Sequence, residues 1–403
     1  MTAPREIGIA VVGGGTMARA HAYGYAAAPV TWPLPAAPRL TVLCGRSADK
    51  TAQAARELGF ADSTTDWRQA VERPDVDIVD ICTPPGAHAE VVVAAAAAGK
   101  AVICEKPLAT TLADGRAAVA AVRAAGVLNA IGFNYRRLPA IALMRQMIGD
   151  GRIGTPRLWR GSWLSDEFCD PGTPFDWRFD RALGGSTIAD LGSHLVDLAE
   201  WMTGPVTGVT AQSQTFTATR AGRDGAPAAV TVDDASSALL EFAGGLRGTL
   251  EVAKTCPRRP CDFTLEVNGS DGTLIFDYAR LNELWLGRSA GPRDEYGMTR
   301  IRAEDPGHPY AAHGWPIGQG AGYGASFVHQ AGELLAAWPD GPWQPDLATG
   351  LRVQEVCTAI ETSARQRRWC PVPAPGAVPA AASPGAGNSG AGSTGPARHQ
   401  GEQ

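Results

Sequence analysis

Lysine is nearly absent from this chain. Four residues, Lys50, Lys100, Lys106 and Lys254, stand against thirty-two arginines. Where a fixed positive charge serves, the sequence writes arginine, so a retained lysine hints at a need for a titratable amine, which arginine cannot supply. Lys50 and Lys100 read as ordinary surface residues. Cys-x-x-Cys pairs are missing too, although there are eight cysteines. Cys44, Cys82 and Cys104 lie in or at the ends of apolar strand-like runs, and Cys256 and Cys261 have no histidine at zinc-finger spacing. Buried free thiols are expected, and no metal site. No apolar run nears the ~20 residues that cross a bilayer. The longest, residues 91–98, stops at Gly99-Lys100. The N-terminus has no cationic stretch leading into an apolar one, so no signal peptide and a cytoplasmic location are expected. Surplus positive charge is lacking as well. A net charge of −5 argues against nucleic acid or an anionic membrane as the main partner.

What is present is an alternating pattern. At 403 residues the chain exceeds the usual reach of one core, so two domains are expected. Apolar runs at 7–12, 40–44, 77–82, 101–104 and 128–133 alternate with helical stretches at 16–28, 49–58, 87–98 and 112–125. The proline-rich stretch 30–38 reads as a loop. This rhythm predicts an α/β domain with a doubly wound parallel sheet over residues 1–133. Residues 134–370 change character. Strand-like segments at 158–164, 206–216, 236–242, 246–253, 263–267 and 273–277 are joined by short turns, with helices at 326–338 and 348–367. This predicts an α+β domain with a large, mostly antiparallel sheet. Residues 371–403 are almost entirely Pro, Ala, Gly and Ser, the composition of a disordered tail.

Four features carry chemistry. Gly13-x-Gly15-x-x-Ala18 follows the first strand and opens a helix, the setting in which a dinucleotide pyrophosphate is held by helix N-terminal N–H groups. At the end of the second strand, where a carboxylate would bind the adenosine ribose of NAD, the chain has Gly45-Arg46-Ser47. Arg46 and Ser47 suit a 2′-phosphate, which tilts the reading slightly toward NADP. Glu105-Lys106-Pro107 ends the fourth strand at the cleft, where Lys106 can exchange a proton with a substrate oxygen or simply pair with Glu105. Further on, Asp190, His194, Asp197 and Trp201 form one helical stripe bordering an apolar one. His194 near a carboxylate reads as a proton-handling pair or as a satisfied core histidine.

Gly13 to Ala18, Thr83-Pro84-Pro85-x-x-His88, Glu105-Lys106-Pro107-Leu108, Gly132-Phe133-Asn134-Tyr135-Arg136 and Asp190-x-x-x-His194 together resemble the Gfo/Idh/MocA family over residues 5–368. The resemblance implies a Rossmann domain followed by a sheet domain that often joins subunits, here as a homodimer or homotetramer. It makes Lys106, Asp190 and His194 the catalytic trio and the bond before Pro107 cis. It assigns cofactor contacts to Gly13, Gly15, Thr16, Met17, Ala18, Gly45, Arg46, Ser47, Thr83, Pro84, His88, Glu105 and Lys106. Local composition adds Tyr135, Arg136, Trp163, Asp176, Arg178 and His313, with His194, as substrate-binding residues. The expected activity is hydride transfer between NAD or NADP and a secondary hydroxyl of a sugar, anhydrosugar or cyclitol. The alternatives are a redox relay on a tightly held cofactor and a non-catalytic dinucleotide sensor.

Overall fold

A strand buried on both faces opens the N-terminal domain: β1 (Glu6–Val12) is covered from Ile7 onward. In the computed structural model, which describes residues 6–376, it is followed by α1 (Thr16–Thr31), β2 (Ala37–Cys44), α2 (Ala48–Leu58), β3 (Asp62–Thr64), α3 (Trp67–Glu72), β4 (Ile78–Ile81), α4 (His88–Ala97), β5 (Ala101–Cys104), α5 (Leu112–Ala125) and β6 (Asn129–Ile131). The six strands form a parallel sheet in the order β3-β2-β1-β4-β5-β6. Order reverses at β1/β4, so the cleft outside their carboxyl ends is where a ligand belongs.

Local signals placed most of these bounds. Thr111 caps α5 by accepting from the Asp114 N–H, and Gly126 closes it in the left-handed region at φ 64°. The loop expected at 30–38 is shorter than its prolines suggested. Helix α1 runs past Pro29 to Thr31, because a proline in the last turn costs one hydrogen bond at an end that is already fraying. Strand β2 begins at Ala37 and contains Pro38, opposite Ile7 of β1. Its outer partner β3 pairs only from Val42 on, so the missing N–H breaks no ladder there.

The second domain holds α6 (Pro139–Gly149), β7 (Pro156–Leu164), a π-helical turn (Ile188–Gly192), α7 (Ser193–Thr203), β8 (Val206–Gln214), β9 (Thr219–Ala221), β10 (Pro227–Ala229), β11 (Ala235–Phe242), β12 (Arg247–Ala253), β13 (Asp262–Gly269), β14 (Gly272–Asp277), β15 (Glu283–Arg288), β16 (Met298–Arg302), α8 (Gly324–Ala336), α9 (Leu347–Gln366) and β17 (Cys370–Pro371). Nine strands form one sheet, in the order β16-β15-β14-β13-β7-β12-β11-β8-β17. Within it only β7 and β12 run parallel. Alternation is clean: Leu240, Leu250, Phe263 and Leu265 face the core, while Leu239, Thr249 and Glu251 face outward.

Two boundaries differ from expectation. Helix α8 joins the first domain's core, where Val328, Leu334 and Leu335 pack with Ile7, Ile9 and Tyr25. The chain thus returns to its N-terminal half after β16, before α9 and β17. Residues 371–373, expected in the tail, are tied down. Pro371 pairs with Gly208, the Val372 N–H donates to the Thr207 carbonyl at 2.9 Å, and Arg352 donates to the Pro373 carbonyl at 2.5 Å. The rest of the expected tail, 377–403, lies outside the described residues. Among the described residues, no helix is long and apolar enough to cross a membrane.

Candidate active site

The glycine turn is shaped by contact with its neighbour strand. Gly13 lies at φ +126°, and a Cβ there would fall 2.5 Å from the Cys82 carbonyl oxygen just beyond β4. No side chain can occupy this position. At Gly14 and Gly15, by contrast, an added Cβ would meet nothing within 4 Å, so the backbone faces open space. No side chain caps the N-terminus of α1, which leaves its first N–H groups free for an anion. Thr16 is exposed, Met17 half-buried and Ala18 fully buried against the sheet. Thr83 and Pro84 flank the turn, and the buried Thr83 Oγ1 has no hydrogen-bond partner. The residues fit a bound dinucleotide.

A Cβ on Gly45 would sit 2.4 Å from Thr51 Oγ1 on α2, so a side chain at this position requires the Thr51 side chain to shift. Arg46 and Ser47 are exposed beside it. His88 stands differently from the contact role expected of it. It is fully buried, with Nε2 2.7 Å from the Thr83 carbonyl and Nδ1 2.9 Å from the Pro107 carbonyl, and so ties two cleft loops together. Glu105 is buried too. It receives the Lys106 backbone N–H at 3.1 Å and faces His21 Nε2 at 3.1 Å. The other His21 nitrogen lies 2.8 Å from Asp80, which also accepts from the Tyr25 hydroxyl at 2.7 Å. His21, Asp80 and Cys82 form the one His/Cys/Asp/Glu cluster close enough to hold a metal among the described residues, and hydrogen bonds already engage His21 and Asp80.

Lys106, Asp190 and His194 do come together, and Lys106-Pro107 is cis. Lys106 Nζ donates to Asp190 Oδ1 at 2.5 Å and to the Asp190 carbonyl at 3.2 Å. Its partner is thus Asp190, not Glu105. The expected Asp190–His194 pair is not made. Asp190 sits in the π-helical turn rather than on a regular helix, and its other oxygen accepts from Lys254 Nζ. His194, on α7, is lodged among aromatic rings, 4.8 Å from Tyr135, 5.6 Å from Trp163 and 5.8 Å from Phe133. Its Nδ1 is buried without a partner.

Charge states follow from these surroundings. Burial pushes the Asp190 carboxyl up, but the two ammonium groups outweigh it and hold it well below the usual carboxylate range. Burial lowers Lys106, and Asp190 and Glu105 more than reverse that, so it titrates above an ordinary lysine. Burial and the nearby Lys106 charge push His194 well below an ordinary histidine. At neutral pH the site therefore holds a carboxylate, an ammonium and an uncharged imidazole.

The expected substrate residues divide. Tyr135 and Trp163 wall the His194 pocket. Arg136 is spent structurally, bonded to Asp197 at 2.8 and 2.6 Å and lying 5.0 Å over Trp201. Asp176 caps a short turn by accepting the Arg178 N–H at 2.8 Å. Arg178 lies 3.9 Å from Glu167, which in turn lies 3.6 Å from Lys254, so this pair borders the site. His313 is elsewhere. It stacks on Trp32 at 3.6 Å and bonds the Thr31 carbonyl, at the far end of α1, about 24 Å of helix from the glycine turn. Two neighbours of the trio went unassigned in the sequence. Tyr323 lies close to Lys106 and 5.8 Å from the Tyr135 ring and was not singled out. Lys254 carried a signal, because it is one of only four lysines.

Known proteins match both halves of the chain. The model of the oxidoreductase family's NAD-binding Rossmann fold matches residues 7–133, and that of the GFO/IDH/MocA C-terminal domain matches residues 141–275. Levoglucosan dehydrogenase of Pseudarthrobacter phenanthrenivorans is 35% identical over 386 residues, 92% of this chain and 99% of the relative. A solved levoglucosan dehydrogenase in complex with NADH and L-sorbose superposes with a TM-score of 0.89 at 36% identity, covering 92% of this chain and 99% of that one. An oxidoreductase domain protein from Kribbella flavida gives a TM-score of 0.88 at 40% identity, over 92% and 100% of the two chains. Both halves of the chain match in order, and this chain is a member of the Gfo/Idh/MocA family of oxidoreductases.

Proposed function

We propose that this protein oxidises a secondary hydroxyl of a sugar, anhydrosugar or cyclitol, and reduces the matching ketone, with a nicotinamide dinucleotide as hydride partner. The observation that carries the reading is the Lys106–Asp190 contact at 2.5 Å beside an uncharged, aromatic-walled His194. A nicotinamide bound from the glycine turn supplies the hydride acceptor or donor. Lys106 keeps its ammonium aimed at the substrate oxygen and stabilises negative charge developing there. His194, uncharged at neutral pH, takes the hydroxyl proton during oxidation and returns it in the reverse direction. Tyr135 and Trp163 offer ring faces to C–H edges of a cyclic polyol and shut out water. Gly45-Arg46-Ser47 leaves room for NADP, while the solved relatives hold NADH, so both cofactors belong in the assay.

The nine-stranded sheet turns an outward face that includes Thr210, Gln212, Leu239, Thr249 and Glu251. Leu239 is 50% exposed on that face, on β11, the third strand from the β17 edge. A second copy laid against it accounts for such a broad open sheet, which gives a homodimer or, with a further contact, a homotetramer.

The test is a panel of anhydrosugars, aldoses, ketoses and cyclitols with NAD and NADP, followed by absorbance of the reduced nicotinamide. Turnover of at least one member is expected. Tight dinucleotide binding without turnover across the panel in either direction would refute the reading.

A further inference from the structure

Asp190 is shared. One carboxylate oxygen accepts from Lys106 and the other from Lys254. Lys254 follows β12 and is almost wholly buried, its side chain 4% exposed. Its backbone is fixed on both sides: its N–H donates to the Asp234 carbonyl and its carbonyl accepts from the Phe168 N–H, each at 2.9 Å. The Nζ lies 4.9 Å from the centre of the Phe168 ring. Burying an ammonium in this chain is a costly choice, because arginine serves almost everywhere else and a buried charge needs a reason.

The geometry points to Lys254 as a positioning residue that holds Asp190 from behind and takes half of its charge, leaving the Lys106 ammonium free to turn toward the substrate oxygen. This rests on the proposed role of Lys106. A lysine facing an unshared buried carboxylate would spend its ammonium on that carboxylate rather than on the substrate oxygen. A second cation on the same carboxylate weakens that hold. The other charged and titratable groups around the pair are Glu105, His194 and Tyr323 near Lys106, and Glu167 near Lys254. Among these, Glu167 is the one that competes with Asp190 for Lys254, from 3.6 Å at a 44% exposed position.

The low lysine count makes this measurable without turnover. Trace acetylation at pH 8 to 9, read by peptide mass spectrometry, reports the uncharged fraction of each of the four lysines, with exposed Lys50 as internal reference. In Lys254→Met the Lys106 labelling rate should fall about tenfold, the effect of a one-unit rise in its pKa. In Lys254→Arg, which keeps the charge, it should stay within about twofold of the wild type. A purely structural role for Lys254 would loosen the site and raise Lys106 labelling, the opposite sign. Unchanged or faster labelling in a Lys254→Met protein that melts cooperatively would overturn the proposal. Should Lys254→Met not fold, Lys254→Gln is read the same way. Because no substrate is involved, an inactive wild type on the sugar panel would leave this result standing on its own.

Discussion

His194 and Lys106 differ in charge at neutral pH because one is enclosed by rings and the other faces carboxylates. That difference sets a pH window. His194 is pushed well below 6.5 by burial and by Lys106, so it stays an uncharged base until the solution is more acidic than an ordinary histidine requires. Oxidation, measured as kcat/KM, should therefore hold through pH 6.5 and fall only further into acid. Lys106 titrates above an ordinary lysine, so its protonated form persists into the alkaline range and reduction should not lose it below about pH 10. An acid limb of oxidation centred above pH 6.5 would remove His194 as the base. The residue types of this trio were legible from the chain because motif and order carried them. The pairing was not. Asp190 seemed to serve His194 by spacing along a helix, yet it serves two lysines that arrive from other elements.

Among the elements, the π-helical turn at Ile188–Gly192 and the seat beneath Glu105 matter most. A stripe drawn at 3.6 residues per turn places Asp190, His194, Asp197 and Trp201 together. One π turn ahead of α7 is enough for Asp190 to be claimed by Lys106 and Lys254 while Asp197 takes Arg136. Glu105 rests on His21 of α1, which also binds Asp80 of β4. Burial lowers His21, but Asp80 outweighs it and holds the imidazole charged well above 6.5. His21→Gln leaves two buried carboxylates without their cation and should cost about 3 kcal/mol of unfolding free energy, near the lower end for a broken buried ion pair. The raised folded pKa means that this stabilisation is complete below about pH 6.5 and is lost as pH rises through the folded value. Denaturant melts of both proteins should thus converge on the alkaline side. A variant as stable as the wild type at pH 6 would show that the network holds nothing together. Longer elements with clear caps, such as α5, could be read to the residue. β3, α3, α6, β9, β10, β15 and β16 were missed: the short ones carry too little periodicity to rise above their neighbours, and α6 is buried along most of its length, so no polar face marks its period.

At the level of the whole molecule, the site lies where two halves of the chain meet, and the broad sheet beyond it is free to join copies. Leu239→Arg sets a like charge on the outward face of β11. If copies pair there, sedimentation should show the wild type as a dimer or larger and the variant shifted toward monomer. A wild type that sediments as a monomer at micromolar concentration would end that proposal. The chain alone was sufficient for a parallel domain with a glycine turn and for a second sheet domain, and it brought Lys106, Asp190 and His194 forward as candidates. Each of these rests on local periodicity or on a contiguous motif. Folding in three dimensions was needed to bring Lys254 onto Asp190, to send His313 to the far end of α1, to commit Arg136 to Asp197 and to return α8 to the first domain. It also set the Thr51 side chain against Gly45. Those outcomes are contacts between residues far apart or on different elements, and spacing along a chain does not encode which distant groups will compete for one carboxylate.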